Sequence, residues 1–249
     1  MATITGTTPT VTAMTDPMNP AALYRLLTFL SPAFPIGAFT YSHGLEQVVE
    51  QGDITNSVEL EAWLQDILRQ GAGRTDAILL SETCNAARSG DRQTVEDLRE
   101  LGLALQPSGE RYLEASAQGT AFMRAVEMSW QPQDGAAAVL FKELAGADRD
   151  AWPYPVSVGL VCSAHDIPTR AALVAYLQAF SANIVSAAIR TVPLGQNDGQ
   201  SVLAKLEPVI SKVTEDALSS GIDDLGSTTF LADIASMAHE TQYSRLFRS

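Results

Sequence analysis

The chain has 249 residues, of which 46% are hydrophobic and 18% charged. That balance excludes an intrinsically disordered chain, and no run approaches the roughly eighteen consecutive apolar residues of a membrane span. Sixteen basic against 29 acidic residues leave a formal charge of −13, which repels phosphate backbones and anionic lipid and argues against nucleic-acid and membrane partners.

Residues 1–18 read as a disordered leader. They lack a basic segment followed by an apolar one, so no cleaved signal is expected and a cytoplasmic protein is. Asn19-Pro20 pairs an N-cap with proline at the first helical position. Leu23, Leu26, Leu27 and Leu30 then recur at helical spacing. Pro32 stops this helix by pushing Ser31 out of the α region. Leu60, Trp63, Leu64, Ile67 and Leu68 form a second stripe behind Asn56 or Ser57 as cap. A third helix runs from about Arg74 to Arg88 and ends at Gly90, which suits a left-handed cap. Ser108 with Arg111 to Trp130 reads as a long helix, and Ala117, Ala121 and Ala125 give it a small-residue face for close packing. Leu173, Leu177, Phe180 and Ile184 mark a later helix, and Leu203, Leu206, Ile210, Val213 and Ala217 another. The last has Ser227 or Thr228 as cap, then Phe230, Leu231, Ile234 and Met237. No sustained period-2 alternation occurs, and the Asp-Gly pairs at Asp134 and Asp198 open helix-like segments instead of hairpins. The expected fold is all-α: a single globular domain of about ten helices over residues 19–239, followed by a C-terminal tail, residues 240–249.

Chemistry is sparse along this chain. There is no GxxxxGK[ST] phosphate loop, and Gly71-Ala72-Gly73-Arg74-Thr75-Asp76 follows a helix, so it reads as a helix break and not a dinucleotide fingerprint. Cys84 and Cys162 are too few for a disulfide framework. Cys162 and His165 lie three apart, a soft pair for nickel or zinc or, more simply, a buried thiol and a hydrogen-bonded helix-end histidine. Asp223-Asp224 is a carboxylate pair without a third ligand nearby. His239-Glu240 lacks the second histidine of a zincin helix, and for His43 beside Ser42 the sequence identifies no acid that would orient a triad. A small all-α metal-dependent enzyme using Cys162 and His165, or Asp223 and Asp224, is the competing reading; no catalytic residue, cofactor or closed metal site is expected.

Two segments are shaped for contact. Residues 31–46 read SPAFPIGAFTYSHGLE, where prolines fix the backbone, Gly37 and Gly44 allow positive φ, and Phe39 and Tyr41 are large anchors. The segment is either a loop over the core or a recognition loop. At the chain's end Tyr243, Leu246 and Phe247 are spaced i, i+3, i+4, an apolar stripe on one helical turn, with Arg245 and Arg248 beside it. Such a stripe docks on its own core or folds on a partner.

These segments carry a resemblance. PIGAFTYSHGLE is similar to the PxGGFSYSxGLE signature of the UreF family of urease accessory proteins, matching at Gly37, Phe39, Tyr41, Ser42, Gly44 and Glu46. Ala38, Thr40 and His43 depart from its usual glycine, serine and glutamine. HETQYSRLFRS resembles the family's C-terminal signature, and Tyr154-Pro155-Val156 its YPV segment. PLGQNDGQ resembles its PLGQxDGQ turn, at Pro193, Gly195, Gln196, Asp198 and Gln200. The likeness runs in order from about Leu23 to Ser249.

The resemblance implies an all-α chaperone for nickel insertion and not an enzyme. Its expected partners are a UreD/UreH-type accessory protein, a UreG-type GTPase whose hydrolysis it modulates, apo-urease, and a second copy of itself. Nickel is then handled by the assembly. The segment that docks on the UreD/UreH-type partner maps to Tyr243, Ser244, Arg245, Leu246, Phe247 and Arg248.

Overall fold

The computed structural model describes residues 18–146 and 151–248. Residues 1–17 of the expected leader lie outside the described residues, while Met18 packs against the core. In chain order the helices are α1 (Pro20–Phe29), α2 (Leu45–Gln51), α3 (Ser57–Gln70), α4 (Ala72–Ser89), α5 (Arg92–Ala104) and α6 (Gly109–Ser129). They continue with α7 (Ala136–Ala145), α8 (Tyr154–Ala164), α9 (Thr169–Thr191), α10 (Gln196–Ser219) and α11 (Phe230–His239). Short 3-10 turns span Ala38–Thr40 and Ile222–Asp224, and no strand occurs among the described residues. The all-α expectation holds.

Local signals set many of the boundaries. Asn19 caps α1 by accepting the Ala21 amide, and Asn56 caps α3 by accepting those of Val58 and Glu59. Gly90 ends α4 at φ 74°, as a left-handed cap requires. Asp91 caps α5, an element that the apolar periodicity had not singled out. At the core α4 lies against α8, whose middle residues are all buried, and α8 packs in turn on α6 and α7. The second layer is α9 against α10, joined to the first through α3 and α4. With 23 residues α9 is long and apolar enough to cross a membrane, yet 56% of its apolar window is buried among its neighbours.

Three packing faces differ from the expectation. On α1 the buried residues are Ala22, Leu26 and Phe29, leaving Leu23 and Leu27 exposed. The four leucines straddle the edge of the true inner face. On α6 the face of Ala117, Ala121 and Ala125 is not the buried one; Ala115, Gln118, Gly119 and Phe122 are. Close approach occurs at Gly119, where an added Cβ would meet the Trp152 carbonyl oxygen at 1.9 Å. On α11, capped at Thr229 without a side-chain hydrogen bond, the stripe is reversed. Phe230, Leu231, Ile234 and Met237 face outward, each at least half exposed, while Ala235, Ser236 and His239 face the protein. Periodicity identifies an amphipathic helix, but which face is covered depends on neighbours remote in sequence.

Candidate functional site

The two contact segments meet. Gly37, at φ 73°, opens the 3-10 turn, and Phe39 projects 64% exposed while Tyr41 and Ser42 turn inward. Gly44 sits at φ 76° with the α11 backbone so close that a Cβ would lie 2.9 Å from the Ser236 nitrogen. Only glycine meets both the dihedral and the space. The chain then enters α2, and Glu46 in its first turn points its carboxylate under the C-terminal tail. Glu46 Oε1 accepts the Leu246 N–H at 2.7 Å and Oε2 the Phe247 N–H at 3.0 Å. The Arg248 N–H completes the series by donating to the Thr40 carbonyl at 2.7 Å.

His239 lies beneath this contact, fully buried at the end of α11. Its Nε2 is 3.2 Å from Glu46 Oε2 and its Nδ1 is 2.6 Å from Glu110 Oε2. Ionised carboxylates only accept, so the ring donates to both only with a proton on each nitrogen. Arg245 closes the network through Nη1, 2.6 Å from Glu110 Oε1. Glu240 caps α6 by accepting the Gly109 N–H at 2.7 Å, and the Ser108 and Ser236 hydroxyls are 2.6 Å apart.

The tail is therefore not a helical turn. Its backbone amides are taken by the loop, which separates the three apolar residues instead of aligning them. Phe247 is buried, its ring under the Arg190 guanidinium at 4.4 Å, and Arg190 also donates to the Phe39 carbonyl at 3.1 Å. Tyr243 and Leu246 stand out in solvent, Ser244 and Arg248 are exposed, and Arg245 is about two-fifths exposed. Of the three apolar residues, Phe247 docks on the core, while Tyr243 and Leu246 are exposed.

The third motif is elsewhere in the chain's architecture. Pro193, Gly195, Gln196, Asp198 and Gln200 form the exposed junction from α9 to α10, where Asp198 accepts the Gly195 N–H at 2.8 Å. Its role there is to start α10.

Beside the loop lies a cavity of ≈ 280 Å³, lined by Ile36 and Phe39 and by a polar group of His43, Asp76, Arg111, Glu114 and Tyr176. His43 Nε2 is 2.9 Å from Glu114 Oε1, and Arg111 pairs with the same carboxylate. Burial, reinforced by Arg111, holds the His43 ring below the usual imidazole range. The Tyr176 hydroxyl donates to Asp76 at 2.7 Å, yet burial pushes the Asp76 carboxyl up to about 6.

The residues of the competing metal-site reading are not assembled. Cys162 is fully buried and burial pushes its thiol well up, which opposes the thiolate a metal needs. His165 caps α8 instead of continuing it, packs on Phe29 at 5.2 Å, and is pushed by burial down to about 4. Asp223 and Asp224 sit in a 3-10 turn, where Asp224 accepts the Gly221 N–H at 2.9 Å. Among the described residues no group of three or more His, Cys, Asp or Glu side chains is placed to hold a metal ion.

Sequence reasoning missed Glu110, Arg190 and the role of His239. Their partners lie far away, 129 positions from Glu110 to His239 and 151 from Phe39 to Arg190, so no local pattern marks them.

A family model described as UreF matches residues 54–207, beginning after the loop and ending before the tail. The chain is 48% identical over 229 residues to the urease accessory protein UreF of Rhodopseudomonas palustris strain HaA2, covering 92% of this chain and 94% of that one. It is 46% identical over 244 residues to the protein of the same name from strain BisA53, covering 95% and 100%. To the one from Bradyrhizobium sp. strain BTAi1 it is 45% identical over 241 residues, covering 97% and 98%.

Proposed function

The chain belongs to the UreF family of urease accessory proteins, and from that premise we propose that it is a non-catalytic scaffold for nickel insertion into apo-urease in the cytoplasm. Its tail binds a UreD/UreH-type accessory protein, and another face receives a UreG-type GTPase. Nickel is the cargo of that assembly and not a resident cofactor of this chain.

The observation that carries this reading is the held tail. Leu246 and Tyr243 are exposed although the backbone between them and the core is fixed. Large apolar side chains that a structure holds outward are characteristic of partner surfaces. The outer face of α11, with Phe230, Leu231, Ile234 and Met237, extends the same apolar character. A homodimer belongs to the same reading, since Leu23, Tyr24 and Leu27 leave an apolar face on α1 for a second copy to cover.

Cells producing this chain without residues 243–249 test the scaffold role. Their urease should contain little nickel although the truncated chain accumulates; normal nickel loading would contradict it. The modulating role on GTP hydrolysis is separate. Single-turnover hydrolysis by the GTPase with and without this chain decides it, and equal rates would sink it.

A further inference from the structure

Asp76 stands on α4 with 7% of its surface exposed, yet half of its carboxylate is unengaged. Oδ2 accepts the Tyr176 hydroxyl, and among the described residues no donor reaches Oδ1. A buried carboxylate with an open acceptor position is costly unless a donor pairs with it. Asp76 borders the ≈ 280 Å³ cavity beside the loop, and also a smaller one of ≈ 70 Å³ lined by Ala232 and Ser236 of α11. The other charges of the larger cavity cancel. Arg111 pairs with Glu114, and the His43 ring, held below the usual imidazole range, is neutral against the same carboxylate. Burial pushes the Tyr154 and Tyr176 hydroxyls up, so both stay protonated. The charge left without an opposite partner is that of Asp76.

The rest of the wall is largely apolar. The rings of Phe39, Tyr154 and Phe180 line it with Ile36 and Pro155. Aromatic faces attract cations, and more strongly where water is excluded. An apolar cleft with a few convergent polar groups is the usual form of a small-molecule site, and this volume lies at the low end of the roughly 300–1,000 Å³ range. We propose that the cavity is a binding site for a small organic ammonium ion, whose N–H group donates to Asp76 Oδ1 while the aromatic rings enclose its apolar stem. Burial pushes the Asp76 carboxyl up to about 6. A bound cation favours its ionised form, so by linkage the ion binds above that pH and is released below it.

Calorimetric titration of the full chain with n-butylammonium chloride tests the proposal, at about pH 7.5 and about 0.15 M salt to screen the acidic surface. One saturable site is expected, with a dissociation constant in the millimolar range or tighter, within what about five non-hydrogen atoms supply. Asp76→Asn keeps the shape and removes the charge, and should weaken binding at least roughly tenfold. 1-Butanol, with the same stem and no charge, should bind the unsubstituted protein weaker by a similar factor. At about pH 5 roughly a tenth of Asp76 is ionised, so the apparent affinity should fall about tenfold. The alcohol and pH measurements need no variant. No saturable binding, equal binding of 1-butanol, a pH-independent affinity, or equal binding by a folded Asp76→Asn protein overturns the proposal. A blocked lysine that binds more tightly than n-butylammonium would put the ammonium on a partner protein, and nickel chloride that displaces the amine would make this a metal site; either result also overturns it.

Discussion

Glu46 and His239 are 193 positions apart in sequence and 3.2 Å apart at Oε2 and Nε2. Through this pair the loop that opens α2 and the helix that precedes the tail become one structural unit, with Glu110 on the far side of the ring. Removing His239 takes a hydrogen-bond partner from two largely buried carboxylates, while Glu46 keeps the tail amides and Glu110 keeps Arg245, at a cost of roughly 1–3 kcal/mol. His239→Leu should therefore lower the unfolding free energy by about that much, measured by denaturant titration. A loss below about 1 kcal/mol would show that the three groups are solvated in solution.

Tyr243 and Leu246 separate binding from stability. Both side chains are exposed, so alanine at either should change stability by no more than about 0.5 kcal/mol. At the centre of a partner surface the same changes should weaken binding by more than about 1 kcal/mol each. Phe247→Ala should behave differently, because burial of that ring contributes roughly 2 kcal/mol to the fold itself. Calorimetric unfolding beside a binding titration checks all three; equal behaviour of Phe247 and Tyr243 would contradict the described tail.

Glu240 caps a helix that is not its own. Glu240→Ala leaves the Gly109 and Glu110 amides without this acceptor, and loss of a cap costs about 1 kcal/mol. For a chain of this size that corresponds to a drop in Tm of roughly 2–4 °C. The deletion of the whole segment from Glu240 onward therefore disturbs α6, so a clean removal of the tail starts at Tyr243.

Two buried groups oppose each other in acid. Asp76 titrates at about 6 in the fold against an ordinary 3.8, so the native state holds its proton more tightly and stability falls as pH rises from about 4 to 6. His165 titrates at about 4 against 6.5, so the native state takes its proton less readily and stability falls as pH drops through that window. The two slopes offset each other between about pH 4 and 6. Asp76→Asn imitates the protonated carboxyl and should stabilise the protein above pH 7 by up to roughly 3 kcal/mol. The gain should vanish near pH 4, and the variant's remaining slope in this window should have the sign set by the buried histidines His165 and His43, stability falling as pH drops. A pH-independent difference between the two proteins would contradict this assignment.

The amphipathic helices were legible because their signals are local. Asn56 before Leu60 and Leu64, or Gly90 after α4, names a cap and a buried stripe within a few residues. Facing was less legible. The stripe of Phe230, Leu231, Ile234 and Met237 has the period of a core helix, yet α2 and α6 cover the opposite side of α11. The tail shows the same limit. Tyr243, Leu246 and Phe247 match a helical turn by spacing, but the carboxylate of Glu46, far earlier in the chain, takes the amides a helix would need. Resemblance to family signatures singled out both segments; their meeting through His239 and Glu110 is a tertiary fact without a sequence period.

The most direct measurement is the dissociation constant of the UreD/UreH-type protein for the full chain and for the chain ending at Gln242, with helical content compared by circular dichroism. The expected result is unchanged helicity and binding weakened by at least roughly a hundredfold, as the loss of a few anchor residues gives. Equal dissociation constants in two equally helical proteins would contradict the tail as the partner surface.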